Sequence, residues 1–179
     1  TYYFSITKPE KSIVLVVGSE AKNKFLSRIY TPDEFNYNST ELSGLDYNTI
    51  EKQDAIILNE LKEIPQARIT TLKSFYAKGG NIVIIPSAES SLQNLNAFLA
   101  GFGSTSFRPL AQTERQITKI AFSHPLYQTV FEKKTDNFQY PKTKAGFTLS
   151  GSTLPVLSYE DQTPFLGSLT NRLGNVYIF

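Results

Sequence analysis

Three continuous apolar runs, with no polar alternation inside them, punctuate the first half of the chain. Residues 12–17 (Ser-Ile-Val-Leu-Val-Val) close at Gly18, residues 54–58 (Asp-Ala-Ile-Ile-Leu) end at Asn59-Glu60, and residues 81–85 (Asn-Ile-Val-Ile-Ile) stop at Pro86. Short β-branched runs bounded by turn residues are the pattern of strands buried on both faces of a parallel sheet. The intervals between them switch to helical spacing. After Ser19, a candidate cap, Ala21, Phe25 and Ile29 recur every fourth residue with Leu26 and Tyr30 beside them, which predicts a helix. Residues 31–52 are polar and irregular, with a strand expected near 35–37 and a helical turn around 47–51. Pro65 suits the first turn of a helix whose apolar stripe is Ile69, Leu72, Phe75 and Tyr76, and Gly79-Gly80 supplies its left-handed end. Ser90 with Gln93 reads as a capping box opening a helix with Leu92, Leu95, Phe98, Leu99 and Phe102.

The order β-α-β-α-β-α with short connections calls for an α/β fold built on a parallel sheet. From Phe107 onward the pattern changes, with more Pro and Thr and shorter apolar runs at 117–122, 127–131, 154–158, 165–169 and 176–179. Turn signals at Glu160-Asp161 and Leu173-Gly174-Asn175 separate the last three, which are expected as antiparallel additions to the same sheet. Nothing reads as a linker or a repeat, so residues 1–179 are expected to form a single domain.

Composition narrows the chemistry. The 179 residues hold 18 Lys+Arg against 16 Asp+Glu, one His, and no Cys, Met or Trp. Thiol chemistry, thiolate metal sites and multi-histidine zinc sites are excluded. A net charge of +2 is too weak and too scattered for a nucleic-acid binder. Lys133, Lys134, Lys142 and Lys144 flank Phe138 and Tyr140, but interleaved Glu132 and Asp136 make a solvated face the better reading. Asn38-Ser39-Thr40 is a glycosylation acceptor by pattern only. No apolar run approaches the roughly 18 residues of a membrane span. A chain that starts at Thr1 and stops inside an expected strand, Gly174 to Phe179, is expected to be a piece of a longer protein.

Ligands of parallel sheets bind outside the carboxyl ends of the strands. Those ends carry Gly18, Ser19 and Glu20; Asn59 and Glu60; and Ser87 and Glu89, the candidate ligand-binding residues. Glu20, Glu60 and Glu89 could converge as a carboxylate set for a divalent cation or for acid–base work. The competing reading outweighs it: each Glu sits in a first helical turn, where the helix dipole favours negative charge. Ser87 occupies the place of a nucleophile elbow without the flanking glycines of G-x-S-x-G, and its only candidate base is His124 in Ser123-His124-Pro125. Gly101-Phe102-Gly103 follows a helix rather than a strand, so it is no dinucleotide loop. No cofactor and no metal is expected.

Two segments carry a resemblance. Residues 53–61 (Gln-Asp-Ala-Ile-Ile-Leu-Asn-Glu-Leu) and 72–86 (Leu-Lys-Ser-Phe-Tyr-Ala-Lys-Gly-Gly-Asn-Ile-Val-Ile-Ile-Pro) are similar to a stretch of class I glutamine-amidotransferase-like domains. More closely, they resemble the version carried by bacterial membrane proteins with a BatA-type double-transmembrane N-terminus. Residues 122–131, 137–141, 157–166 and 174–179 are similar to the tail of such proteins, so the resemblance covers nearly the whole chain. It implies a three-layer flavodoxin-like domain, parallel in its first half, held at the inner membrane by transmembrane helices outside this sequence and facing the periplasm. Tyr2-Tyr3-Phe4 would suit a chain leaving a membrane interface. The family's Cys nucleophile is replaced in the region of Ser87-Ala88, and no His-x-Glu follows, so glutamine hydrolysis is not implied. The expectation is a non-catalytic binding or assembly domain for another protein or a small ligand. The alternative is a hydrolase using Ser87 or the Glu20/Glu60/Glu89 set.

Overall fold

The computed structural model describes residues 10–127 and 139–179. Five strands of the parallel half come from the three apolar runs, from the polar stretch at 35–40 and from the last segment of the chain. They are β1 (Ser12–Val17), β2 (Phe35–Thr40), β3 (Ala55–Asn59), β4 (Asn81–Ile85) and β11 (Asn175–Ile178), lying side by side in the order β2-β1-β3-β4-β11. Beyond β11 the sheet continues antiparallel through β10 (Pro164–Thr170), β9 (Leu154–Tyr159), β6 (Arg115–Ile120) and the short β7 (Lys142–Thr143). The fold is flavodoxin-like α/β, as expected. One detail differs: β11 is no antiparallel appendage. It pairs parallel with β4 and antiparallel with β10, so it joins the two halves from the middle of the sheet.

Register explains the core. Leu15, Ile56, Ile82 and Val176 are successive neighbours across four strands and face one side. That side packs against α3 (Tyr47–Ile50), α4 (Gln66–Ala77) and α5 (Leu92–Leu99) through Ile50, Leu72, Phe75, Phe98 and Leu99. The α4 stripe buries the expected Ile69, Leu72, Phe75 and Tyr76, and Gly79 ends the helix at φ 103°, a dihedral that costs glycine nothing. A separate two-stranded ribbon, β5 (Thr105–Ala111) with β8 (Gly146–Gly151), adds Phe107 and Leu149 to the same core. The sequence predicts neither strand of the ribbon, because each carries only scattered apolar residues.

The opposite face is thinner. After the short α1 (Glu20–Asn23), Val14, Val16 and Ile57 are covered by Leu26 of α2 (Leu26–Ile29) and by Tyr30, its C-cap, with Phe35 and Tyr37 alongside. Here the expected helix is corrected. The chain makes two short helical pieces, and the predicted stripe points to solvent: Phe25 is 70% exposed and Ile29 63%. The face that meets the sheet is Asn23, Leu26 and Tyr30, three and four residues apart. A polar residue at a sheet-facing position disguised it.

The cap of α5 is also displaced by one residue. Ser91, not Ser90, is the N-cap, and its Oγ accepts from the Asn94 N–H at 3.3 Å. Ser90 is buried and donates its hydroxyl to the Leu61 carbonyl at 2.6 Å. Of the expected run 127–131, Tyr127 closes a single helical turn, Pro125–Tyr127, and the rest lies outside the described residues. So do Tyr2-Tyr3-Phe4, Lys133, Lys134 and Phe138. Lys142 pairs with Glu114 at 2.9 Å, in keeping with a solvated face.

Candidate functional site

The carboxyl edge of the parallel strands divides into a polar end and an apolar end. At the polar end β1 runs into Gly18, whose N–H donates to the Thr40 carbonyl at 3.0 Å. Its carbonyl accepts from Asn23 Nδ2, and Asn23 Oδ1 accepts from Asn59 Nδ2, both at 3.0 Å. Asn23 and Asn59 are 3% and 5% exposed, so this chain of amides satisfies groups that would otherwise be costly to bury. Gly18 is required by contact: a Cβ there would sit 2.5 Å from the Asn59 carbonyl oxygen. Ser19 starts α1 with its backbone alone, and its side chain makes no capping hydrogen bond.

The three glutamates do not converge. Glu60 is bound by Lys22 at 2.8 Å and Glu89 by Lys62 at 3.0 Å, while Glu20 lies exposed in the first turn of α1. The hydrogen bond from Lys62 holds the Glu89 carboxyl below its ordinary range, and the hydrogen bond to Glu60 raises Lys22 above its own. Among the described residues no group of three or more His, Asp or Glu side chains could hold a metal ion. The carboxylate-set expectation is therefore corrected: these acids find lysines or water before they find one another. Glu60 also takes a left-handed backbone, φ 51°, where its N–H donates to the Ile85 carbonyl at 2.7 Å.

The apolar end lies past β4 and β11. Pro86, Phe147, Tyr159, Phe165 and Phe179 wall a cleft of about 230 Å³, with Ser87 and Thr143 among its polar lining residues. The rings brace one another edge to face, Tyr159 against Phe165 at 5.6 Å and Phe165 against Phe179 at 5.7 Å. Arg115 stacks on Tyr159, its guanidinium 3.8 Å from the ring centroid, which fixes that ring further. Larger depressions, of about 520 Å³ beside α1 and about 790 Å³ along β6, are more open to solvent.

Ser87 is held in a turn. Its N–H donates to Ser90 Oγ at 3.0 Å, and its Oγ accepts from the Glu89 N–H at 3.3 Å. Among the described residues its hydroxyl otherwise meets only Ser90 Oγ, at 3.4 Å. His124, the sole candidate base, is engaged elsewhere, with Nε2 2.8 Å from Ser168 Oγ on β10. The Ser87–His124 pair is thus not formed. Sequence reasoning missed both Asn23 and the His124–Ser168 contact. Asn23 was detectable as the third member of a 23/26/30 stripe, whereas Ser168, 44 residues from its partner, left no signal.

No family model matches the chain, and no curated protein matches it. Solved structures resemble it in shape. A ThuA-like protein from Bacteroides uniformis superposes with TM-score 0.65 at 13% identity, over 98% of this chain and 84% of that one. Gan42B, a GH42 beta-galactosidase, superposes with TM-score 0.64 at 13% identity, over 95% of this chain and 27% of that one. An exo-beta-1,4-mannosidase from Opitutaceae bacterium strain TAV5 gives 0.63 at 10% identity, over 94% and 30%. The chain spans less than a third of the length of these two glycosidases. At such identities the likeness is one of fold alone.

Proposed function

We propose that this chain is a non-catalytic binding or assembly domain of a bacterial membrane protein, facing the periplasm and using the apolar end of its strand edge. The observation that carries the reading is the state of Ser87. Ser87 lines an aromatic-walled cleft, but among the described residues no imidazole or carboxylate hydrogen-bonds its hydroxyl. A serine nucleophile needs a base within hydrogen-bonding reach, itself oriented by a third group. A binding cleft needs a preformed apolar surface with a few polar groups at its rim. The strand ends match the second description. The superposition on less than a third of two glycosidases supports a modular role, since the same fold occurs there as one part of a longer chain. The membrane setting rests on the resemblance of residues 53–61 and 72–86 to the amidotransferase-like domains of BatA-type proteins.

Two experiments test this. A fluorophosphonate probe, which reacts only with activated serines, is expected to leave Ser87 unmodified by mass spectrometry; an adduct that disappears in Ser87→Ala would establish the hydrolase instead. For the location, the full-length protein is expressed with a tag and treated with protease. The domain is expected to be cleaved in spheroplasts and protected in intact cells, and protection in both would remove it from the periplasm.

A further inference from the structure

We infer that the apolar cleft takes a single neutral ring with an apolar face and a hydroxyl on its edge; this rests on the binding-domain reading and names its ligand class. Charge decides the first part. Among the described residues that line the cleft, no side chain is acidic or basic, and the Arg115 guanidinium on the Tyr159 ring faces Asp161 at 4.0 Å. A phosphate, carboxylate or ammonium group placed there would lose its hydration with no opposite charge in return. That sets aside nucleotides, free amino acids and metal ions.

Size decides the second. A dry cavity of about 150 Å³ holds benzene, and drug-sized ligands fill about 300 Å³ or more. The present cleft, about 230 Å³, has room for one substituted six-membered ring. The walls suit the face of such a ring. Phe165 is locked edge to face between Tyr159 and Phe179, so its surface is offered without rearrangement. Phe147, Phe165 and Phe179 are all incompletely buried, which leaves apolar area for a ligand to cover.

The hydroxyls decide the third. Tyr159 Oη and Thr143 Oγ1 are 3.1 Å apart and share one hydrogen bond, so one hydroxyl proton of the pair remains to be donated. Ser87 accepts from the Glu89 N–H, and among the described residues its own proton meets only the long 3.4 Å contact to Ser90. Two donors among the lining residues of an aromatic cleft whose described side chains are all uncharged fit a ring that bears hydroxyl or ether oxygen. A phenol and a hexopyranoside share that chemistry.

The test is saturation-transfer NMR on the 179-residue chain with phenol and methyl β-glucopyranoside as separate probes. Phenyl phosphate and glucose 6-phosphate serve as their charged counterparts. At least one neutral probe is expected to bind with Kd on the order of 1 mM, as suits so small a ligand. Its charged counterpart should bind at least about tenfold more weakly, since no described lining side chain carries a charge to pair with it. Ala88→Trp and Ala145→Trp, at exposed lining positions, should each abolish the transfer while leaving circular dichroism and Tm unchanged. Whichever of the two keeps its fold decides the matter. Binding of phenol alone assigns an aromatic ligand, and binding of the glycoside alone assigns a sugar. Neither probe bound at about 20 mM, equal binding of the charged forms, or full binding by a folded tryptophan variant would each overturn the inference. With Ser87 unmodified by fluorophosphonate and the domain cleaved in spheroplasts, such a result removes the ligand class and leaves the binding-domain reading in place.

Discussion

His124 Nε2 lies 2.8 Å from Ser168 Oγ, and this contact ties the loop after β6 to the middle of β10. The rest of the network assigns its direction. The Leu126 N–H donates to His124 Nδ1 at 3.1 Å, so Nδ1 is unprotonated and the neutral ring carries its proton on Nε2. Ser168, 1% exposed, accepts that proton and turns its own toward the Leu154 carbonyl at 3.5 Å. A second proton on Nδ1 would face the Leu126 N–H head on.

Burial holds the His124 pKa below its ordinary value. Between the lowered folded pKa and the unfolded value near 6.5, the unfolded chain binds more protons, so stability rises with pH there and is level above it. Acidification from pH 7 should therefore cost stability as pH falls through about 6.5, and the loss should level off below the folded pKa. The single imidazole C2–H resonance of this one-histidine chain is expected to titrate below 6.5. His124→Gln should remove this part of the pH dependence while other groups keep theirs.

Gly18→Ala should destabilise the domain by about 1–3 kcal/mol, because the Asn59 backbone and the Asn23 side chain must both shift to admit the Cβ. Asn23→Ala should cost a similar amount, roughly 1–3 kcal/mol, by leaving the Asn59 amide without its acceptor. Urea titration of both variants checks this, and the midpoint should fall with m unchanged.

Two phenylalanines in helical segments should behave oppositely. Phe98→Ala empties a fully buried site and should cost about 3–5 kcal/mol. Phe25→Ala, at a side chain 70% exposed, should stay within about 0.5 kcal/mol of the parent. Thermal melts check that, of the apolar set 21/25/29 with 26/30 read off the sequence, Leu26 and Tyr30 meet the sheet and Phe25 does not.

Adjacent serines at the start of α5 have distinct duties. Ser91→Ala removes a cap and should cost about 1 kcal/mol. Ser90→Ala strands the Leu61 carbonyl and the Ser87 N–H together and should cost more, about 1–3 kcal/mol. Ser87→Ala, by contrast, should leave Tm nearly unchanged, since its hydroxyl makes only long contacts.

Divalent cations should not stabilise the chain. Ligand at a hundredfold over Kd would add about 2.7 kcal/mol. With Glu60 and Glu89 on separate lysines, millimolar Mg²⁺, Ca²⁺ or Zn²⁺ should leave Tm where it was. A rise of several degrees that vanishes in Glu60→Gln would show that the lysines yield to metal.

Local sequence determined the parallel half of this protein. Val14 to Val17, Ile56 to Leu58 and Ile82 to Ile85 are apolar without interruption because both of their faces are covered, and such a run has few other places to go. The α4 stripe was legible for a related reason: its burial is one-sided and its period unbroken. The strand-end residues could be named in advance because their position follows from the direction of the strands, but their interactions could not. Whether Glu60 meets Glu20 or Lys22, and whether His124 meets Ser87 or Ser168, depends on distances between segments far apart in the chain. Tertiary structure decided these contacts, along with the face of Asn23, the ribbon of β5 and β8, and the aromatic cleft where Phe147, Tyr159, Phe165 and Phe179 gather. Secondary structure follows from the period of neighbours in sequence, whereas a site is made by neighbours in space, and that pairing leaves no period to read.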